Sequence, residues 1–173
     1  MSDKSFTFLS KNISSKKFVN LLESIYEHSP WVPERLLSKE GIEIKTKREL
    51  QIQMKQIVDD ASKIEKLNLI RAHPELGNKI HKTKKLTKFS KQEQNSVGLD
   101  QCTDEEFKIL TSLNKEYKSK FEFPFIIAVK GLSKNYIIEN MKKRVENKQE
   151  EEFQTAISEI HKIAKLRIND LTY

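Results

Sequence analysis

The stretch QEEEFQTAISEIHKIAKLRINDL, residues 149–171, sets the fold class. Phe153, Ala156, Ile157, Ile160, Ile163, Ala164 and Leu171 recur at steps of three and four, so they share one face of a long helix. Arg167 lies seven residues after Ile160 and four before Leu171, on that same face. A guanidinium among apolar side chains needs a partner, because an unpaired buried charge is costly. Two readings stay open. Arg167 closes a structural ion pair, or carries its head to the edge of the core; alternatively it clamps an anion or carbonyl of a ligand. Arg144 partly shares the face of Ile137 and Met141 and competes for the same role.

The helical period extends through the chain. Phe18, Leu21, Leu22 and Ile25 predict a helix over about 15–28, which Pro30 and Pro33 end before a short new one begins. Leu50, Met54, Ile57, Val58 and Ala61 predict another over about 46–62. It continues through 63–71, with Leu67 and Ile70 inward. Residues 78–89 read mostly as loop. Ser90 with Glu93 three residues later matches a capping box, and so does Thr103 with Glu106. Phe107, Leu110, Leu113, Tyr117 and Phe121 mark the buried face of the helix after Thr103. Phe123 to Val129 is the most apolar run. It has no visible partner strand and reads as a short buried helix started by Pro124. Helices over about 136–145 and 149–171 complete the chain. No internal repeat or low-complexity linker appears. Only four glycines and four prolines are present, as long helices require. The expectation is an all-α, single compact helical domain of about eight to ten helices over residues 1–173.

Hydrophobic residues make up 36% and charged residues 33%, a polar but globular balance. The net charge of +7 raises a rival reading, a basic helical nucleic-acid-binding module. Only the charge favours it. The cations are nearly all Lys, scattered among Glu and Asp. The densest group, Lys82-Thr83-Lys84-Lys85, reads as a solvated loop. Arg is confined to Arg35, Arg48, Arg71, Arg144 and Arg167, and no recognition motif appears. A single cysteine, Cys102, excludes an intrachain disulfide and argues against a Cys-based zinc site. No His pair has metal-ligand spacing. No apolar run approaches ~18 residues, and no secretory signal pattern opens the chain, so a soluble, cytoplasmic setting with no membrane partner is expected.

His73 is the residue whose context invites chemistry. It precedes Pro74, which pushes it out of the α region, and Pro74 suits the first position of a new turn. Functional side chains concentrate at such breaks, and imidazole titrates near neutral pH, as a general acid or base should. His28, His81 and His161 lack that setting and read as surface or packing residues. The capping box accounts for Glu93 without any second role. No Gly-rich phosphate loop, nucleophile elbow or CxxC motif is present.

Taken in order, these segments resemble one known family. They are Tyr26-Glu27-His28-Ser29-Pro30-Trp31, then Leu69-Ile70-Arg71-Ala72-His73-Pro74-Glu75-Leu76-Gly77, then Leu86-Thr87, Ser90, Glu93-Gln94 and Gly98-Leu99-Asp100. Leu113-Asn114, Tyr117, Lys120-Phe121, Phe123-Pro124-Phe125-Ile126 and finally Ile163-Ala164-Lys165-Leu166-Arg167-Ile168 follow. The chain resembles the 2-oxo-4-hydroxy-4-carboxy-5-ureidoimidazoline (OHCU) decarboxylases. The resemblance implies an all-α homodimer, no cofactor and no metal. It implies the last step from urate to (S)-allantoin, or a related decarboxylation of another ureide. It points to His73, Glu93 and Arg167 as the catalytic group. Pro74, Ser90 and Gln94, with backbone near Phe125, Ile126, Ile127 and Ala128, would bind the substrate. Glu122 stands where the family often has Gly, and Val97 where a small residue is common.

Overall fold

The computed structural model describes residues 14–41, 44–77 and 86–171. His81, the lysine group at 82–85 and most of the loop expected before residue 89 lie outside them. Among the described residues there are eight α-helices and one 3-10 turn, and no strand, so the fold is all-α. The chain divides into two units, one holding residues to Leu69 together with those from His161, the other residues 70–160.

The first unit contains α1 (Ser15–Leu22), α2 (Trp31–Leu37), α3 (Lys47–Asp59), most of α4 (Lys63–Ala72) and the end of α8 (Gln149–Asn169). α1 packs on α2, and α2 on α3. Phe18, Leu22, Ile25, Leu36, Leu50, Met54, Val58 and Ile168 are buried there. α1 stops earlier than its periodicity predicts, and residues 23–28 run on as turns. Those turns bury Tyr26 and Glu27 together, which a continued helix could not place on one face as neighbours. Thr46 caps α3 with a complete capping box to Glu49. The 46–62 reading overruns, because the chain breaks after α3. Ser62 Oγ then accepts from Glu65 N–H at 3.3 Å while the Glu65 carboxylate takes Ser62 N–H at 2.9 Å, which starts α4 afresh.

Polar tethers hold the end of α8 within this unit. The Lys47 ammonium donates to the carbonyls of Asn169 and Leu171 at 2.7 and 2.8 Å, satisfying acceptors that a helix terminus leaves open. Tyr26 Oη lies 2.9 Å from His161 Nδ1, and His161 Nε2 lies 2.9 Å from Asp59 Oδ1. A neutral ring satisfies this chain fully: the phenol donates to Nδ1, and Nε2–H donates to the carboxylate. Burial holds the His161 pKa below its ordinary value, against the pull of Asp59. Burial works to raise Asp59 too, yet hydrogen bonds from Lys55 and His161 leave it below the usual range. His161 is thus a half-buried polar tie within the unit, the packing alternative of the two expected for it.

The second unit contains α5 (Lys88–Ser96), the 3-10 turn Leu99–Gln101, α6 (Asp104–Phe121), α7 (Lys134–Arg144) and the first part of α8. Thr103 and Glu106 form the expected capping box of α6. Leu110, Leu113, Tyr117 and Phe121 are buried, while Phe107 is half-buried. Tyr117 gathers Phe121, Phe123 and Phe125 at centroid distances of 4.6, 6.1 and 5.3 Å.

Two expectations about local structure are corrected in this unit. Phe123 to Val129 is not a helix but irregular chain, and no strand stands beside it among the described residues. Pro124 keeps Phe123 out of the α region. The buried backbone finds side chains instead of a ladder: Ile126 C=O accepts from Arg144 Nη1 at 2.8 Å, and Ala128 N–H donates to Glu159 Oε2 at 2.8 Å. Second, Ser90 does not cap α5. Thr87 does, accepting Ser90 N–H at 3.2 Å, and Ser90 sits inside the first turn with its side chain buried. The capping box that accounted for Glu93 therefore does not exist.

α6 ends on Glu122 in the left-handed region at φ 61°, the position a helix commonly gives to Gly. Glu122 is exposed, and its backbone bonds to Lys118 and Arg71 need no side chain. Glu122→Gly relieves the backbone strain without losing a contact. It should raise unfolding stability in urea by about 1 kcal/mol, less the entropy cost of glycine.

The His161 chain gives a second prediction. The unfolded state takes up a proton near pH ~6.5, where the folded state resists it, so stability is complete above that pH and falls as pH drops through it. Thermal melts between pH 8 and 5 should show a shallower decline for His161→Gln, which keeps a donor and an acceptor but does not titrate. Equal slopes for the two proteins would contradict the assignment.

Candidate active site

α4 ends at Ala72, and His73 N–H closes its last turn on Ile70 C=O at 3.1 Å. Helical hydrogen bonding cannot continue past this point, because Pro74 has no N–H and disfavours α geometry at His73. His73 is buried, with 4% of its surface exposed. The three residues after Pro74 are each tied down. Gly77 N–H donates to Gln94 Oε1 at 3.1 Å, Gln94 Nε2 reaches Glu75 C=O at 3.4 Å, and Asn114 Nδ2 donates to Leu76 C=O at 2.9 Å. Lys118 pairs with the Glu75 carboxylate at 3.0 Å. Gly77 has φ 66°, where a side chain is strained, and a Cβ there would stand 2.6 Å from Leu110 Cδ1, so any larger residue would also force the Leu110 side chain to shift.

Ser90, Glu93 and Gln94 occupy positions i, i+3 and i+4 of α5 and so line one face of it. Ser90 and Gln94 are buried and Glu93 is half-buried. Because the Gln94 amide grips the 75–77 turn, that face of α5 is the one that meets the segment carrying His73 and Pro74. Five of the residues singled out in the sequence thus belong to one unit and to two connected elements. The irregular segment Phe125 to Ala128 lies in the same unit. Phe125, Ile126 and Ile127 are buried and Ala128 half-buried.

Arg167 belongs to the other unit. It is 2% exposed and donates through Nη1 to Glu27 Oε2 and to Ser24 C=O, both at 2.8 Å. Glu27 is fully buried. The ion pair foreseen as one reading of Arg167 is present. His28 beside it is exposed, as expected.

Arg144 forms a separate buried pair in the second unit. Its Nε donates to Glu152 Oε1 at 2.8 Å, its Nη1 goes to Ile126 C=O, and its guanidinium stacks 4.4 Å from the Phe125 ring. Glu152 also accepts from Tyr117 Oη, and from Asn147 Nδ2 at 2.8 Å. Burial and the adjacent carboxylate push the Tyr117 phenol above the ordinary tyrosine range. Sequence reasoning missed Glu152, although the signal was available: it stands four residues before Ala156 on the apolar face of α8. Among the described residues no cluster of His, Cys, Asp and Glu could hold a metal ion, and no helix is long and apolar enough to cross a membrane.

Known proteins share this chain's sequence and architecture. A family model described as OHCU decarboxylase matches residues 11–169. The 2-oxo-4-hydroxy-4-carboxy-5-ureidoimidazoline decarboxylase of Haloferax volcanii is 38% identical over 156 residues, covering 90% of this chain and 89% of that protein. Its counterpart from Halalkalicoccus jeotgali is 39% identical, covering 91% and 86%. A uric acid degradation bifunctional protein from a Bacillus strain is 38% identical, and there the match spans only 30% of the relative's length. Among solved structures, a crystal structure of (S)-allantoin synthase superposes with a TM-score of 0.73 at 33% identity, covering 91% of this chain and 50% of that one. An OHCU decarboxylase crystallised with (S)-allantoin shares the fold, with a TM-score of 0.67. With the family model matching nearly its whole length, this chain belongs to the OHCU decarboxylase family.

Proposed function

We propose that this protein decarboxylates 2-oxo-4-hydroxy-4-carboxy-5-ureidoimidazoline to (S)-allantoin in urate degradation, without a cofactor. The observation that carries the reading is end-to-end similarity to decarboxylases of that name, with His73, Glu93 and Arg167 all present. The finer features follow the same reading: a homodimer working in the cytoplasm on a small molecule, with no nucleic-acid or membrane partner.

The reaction needs little from the protein beyond placement and proton transfer. The carbon that loses carbon dioxide also carries a hydroxyl, and its ring neighbour is part of a C=N bond. The electron pair of the breaking C–C bond forms a C=C bond, and the C=N π pair moves to nitrogen, which takes up a proton. The hydroxyl proton leaves, the carbonyl forms, and a proton is delivered to the neighbouring carbon. In this reading His73 accepts the hydroxyl hydrogen bond and its proton, and Glu93 orients the imidazole or helps move the proton. Arg167 holds a ring or ureido carbonyl. Pro74, Ser90 and Gln94 shape the pocket, and the backbone of Phe125, Ile126, Ile127 and Ala128 contacts the ligand. Delivery of the last proton to one face gives one enantiomer.

The test generates the unstable substrate from urate with urate oxidase and hydroxyisourate hydrolase and follows circular dichroism. Rapid growth of the (S)-allantoin signal is expected. His73→Ala should slow it by ~10²–10⁴-fold with the fold intact. Wild-type turnover in that variant would remove His73 from the mechanism, and slow racemic product with the native protein would remove the function. Arg167→Gln carries a stability penalty as well, of about 3 kcal/mol or more, because Glu27 stays buried without its counter-charge. Its turnover is therefore to be measured beside its urea denaturation curve.

A further inference from the structure

α6 presents Leu110, Leu113, Tyr117 and Phe121 to the core, and an apolar side chain at 114 would fit that company. Asn114 stands there instead, 7% exposed. Its Nδ2 donates to Leu76 C=O at 2.9 Å, and this donor fixes which way the amide points. Its Oδ1 is buried and accepts no hydrogen bond. An amide placed for stability would not leave an acceptor unsatisfied, since a buried polar atom without a partner lowers stability. Asn is also a poor residue for the middle of a helix. What the residue does achieve is a fixed distance between α6 and the carbonyl three residues after His73.

We propose that Asn114 is a positioning residue for His73: together with Gln94 from α5, it clamps the 75–77 turn and so holds the imidazole in its working orientation. The inference rests on the proposed role of His73. Among the described contacts, His73 N–H on Ile70 C=O also ties the start of the turn, and the Glu75–Lys118 pair ties its flank. Lys118 is exposed, so that pair is worth little. Gln94 takes the Gly77 N–H and the Glu75 carbonyl, and leaves Leu76 to Asn114. Without Asn114 the middle of the turn has no tie from α6, and His73 gains freedom through Pro74. Small errors in placement of a reacting group cost rate more than they cost binding.

The test compares Asn114→Leu, which removes both the donor and the stranded acceptor, with Leu113→Ala, a core truncation on the same helix that removes no hydrogen bond to the turn. Amide hydrogen exchange and steady-state turnover are measured for each, well below its melting temperature. Asn114→Leu should speed exchange at Leu76 and Gly77 selectively. It should lower kcat by roughly tenfold to a hundredfold with KM within about threefold, and reduce the enantiomeric excess of allantoin. Leu113→Ala should lose thermal stability yet keep kcat and enantiomeric excess. Should Asn114→Leu not fold, Asn114→Asp preserves the shape, loses the donor and carries the same expectations. Unchanged exchange at 76–77, or unchanged kcat and enantiomeric excess on a decarboxylating wild type, overturns the positioning role. A wild type that does not accelerate the reaction overturns the reading of His73 beneath it, and with it the catalytic part of this proposal.

Discussion

Glu152 and Arg167 both lie on the buried face of α8, and each must meet an opposite charge or lower the stability of the core around it. Within residues 70–160, Glu152 takes Arg144, Tyr117 and Asn147. Within the other unit, Arg167 takes Glu27 and the Ser24 carbonyl. Desolvating two ions costs several kcal/mol each, and their attraction offsets this only when the remaining donors and acceptors are also used. The Arg144–Glu152 pair meets that condition closely. Its carboxylate receives bonds from three side chains, and its guanidinium serves a backbone carbonyl as well. Such pairs add little net stability over apolar packing. They do make alternative arrangements of the same helices costly, because any slip strands a charge.

The Arg144 pair has a structural consequence for the chain beside it. Phe123 to Val129 is an apolar run in irregular form, and buried irregular backbone needs partners for its N–H and C=O groups. Here side chains of α7 and α8 provide them, through Arg144 on Ile126 and Glu159 on Ala128. A short piece of irregular backbone is thereby tied to two helices at two points. This is the segment that the proposed mechanism uses to contact substrate. The turn after His73 is built on the same principle, with side-chain amides from two helices replacing a backbone ladder. In both places polar side chains from regular helices hold irregular chain, and the irregular chain is where chemistry is proposed.

Parts of this were readable residue by residue. The 3–4 spacing of Phe153 to Leu171 gave α8, Thr103 with Glu106 gave the start of α6, and His73-Pro74 gave the break after α4. Each is a local signal, set by periodicity, a cap or a ring that removes an N–H. The misreadings were also local. Ser90 with Glu93 satisfies the capping-box pattern, but Thr87 lies three residues earlier with an equally good hydroxyl, and the pattern does not rank the two. The 123–129 run has an apolar content that fits helix or strand. Its conformation was decided by Arg144 and Glu159, 15 or more residues away in sequence.

The sequence alone determined that the chain is helical, where most helices lie, and that His73 and Arg167 sit in unusual settings, because helix periodicity and proline stereochemistry act over a few residues. The series of motifs also pointed to the family. Tertiary structure alone decided which charge meets which: Glu27 for Arg167, Glu152 for Arg144, and the Gln94 and Asn114 amides for the turn after His73. Those partners are 140, 8, 17 and 38 residues apart. A hydrogen bond or ion pair depends on position in space, and only packing brings such residues within hydrogen-bonding distance of one another.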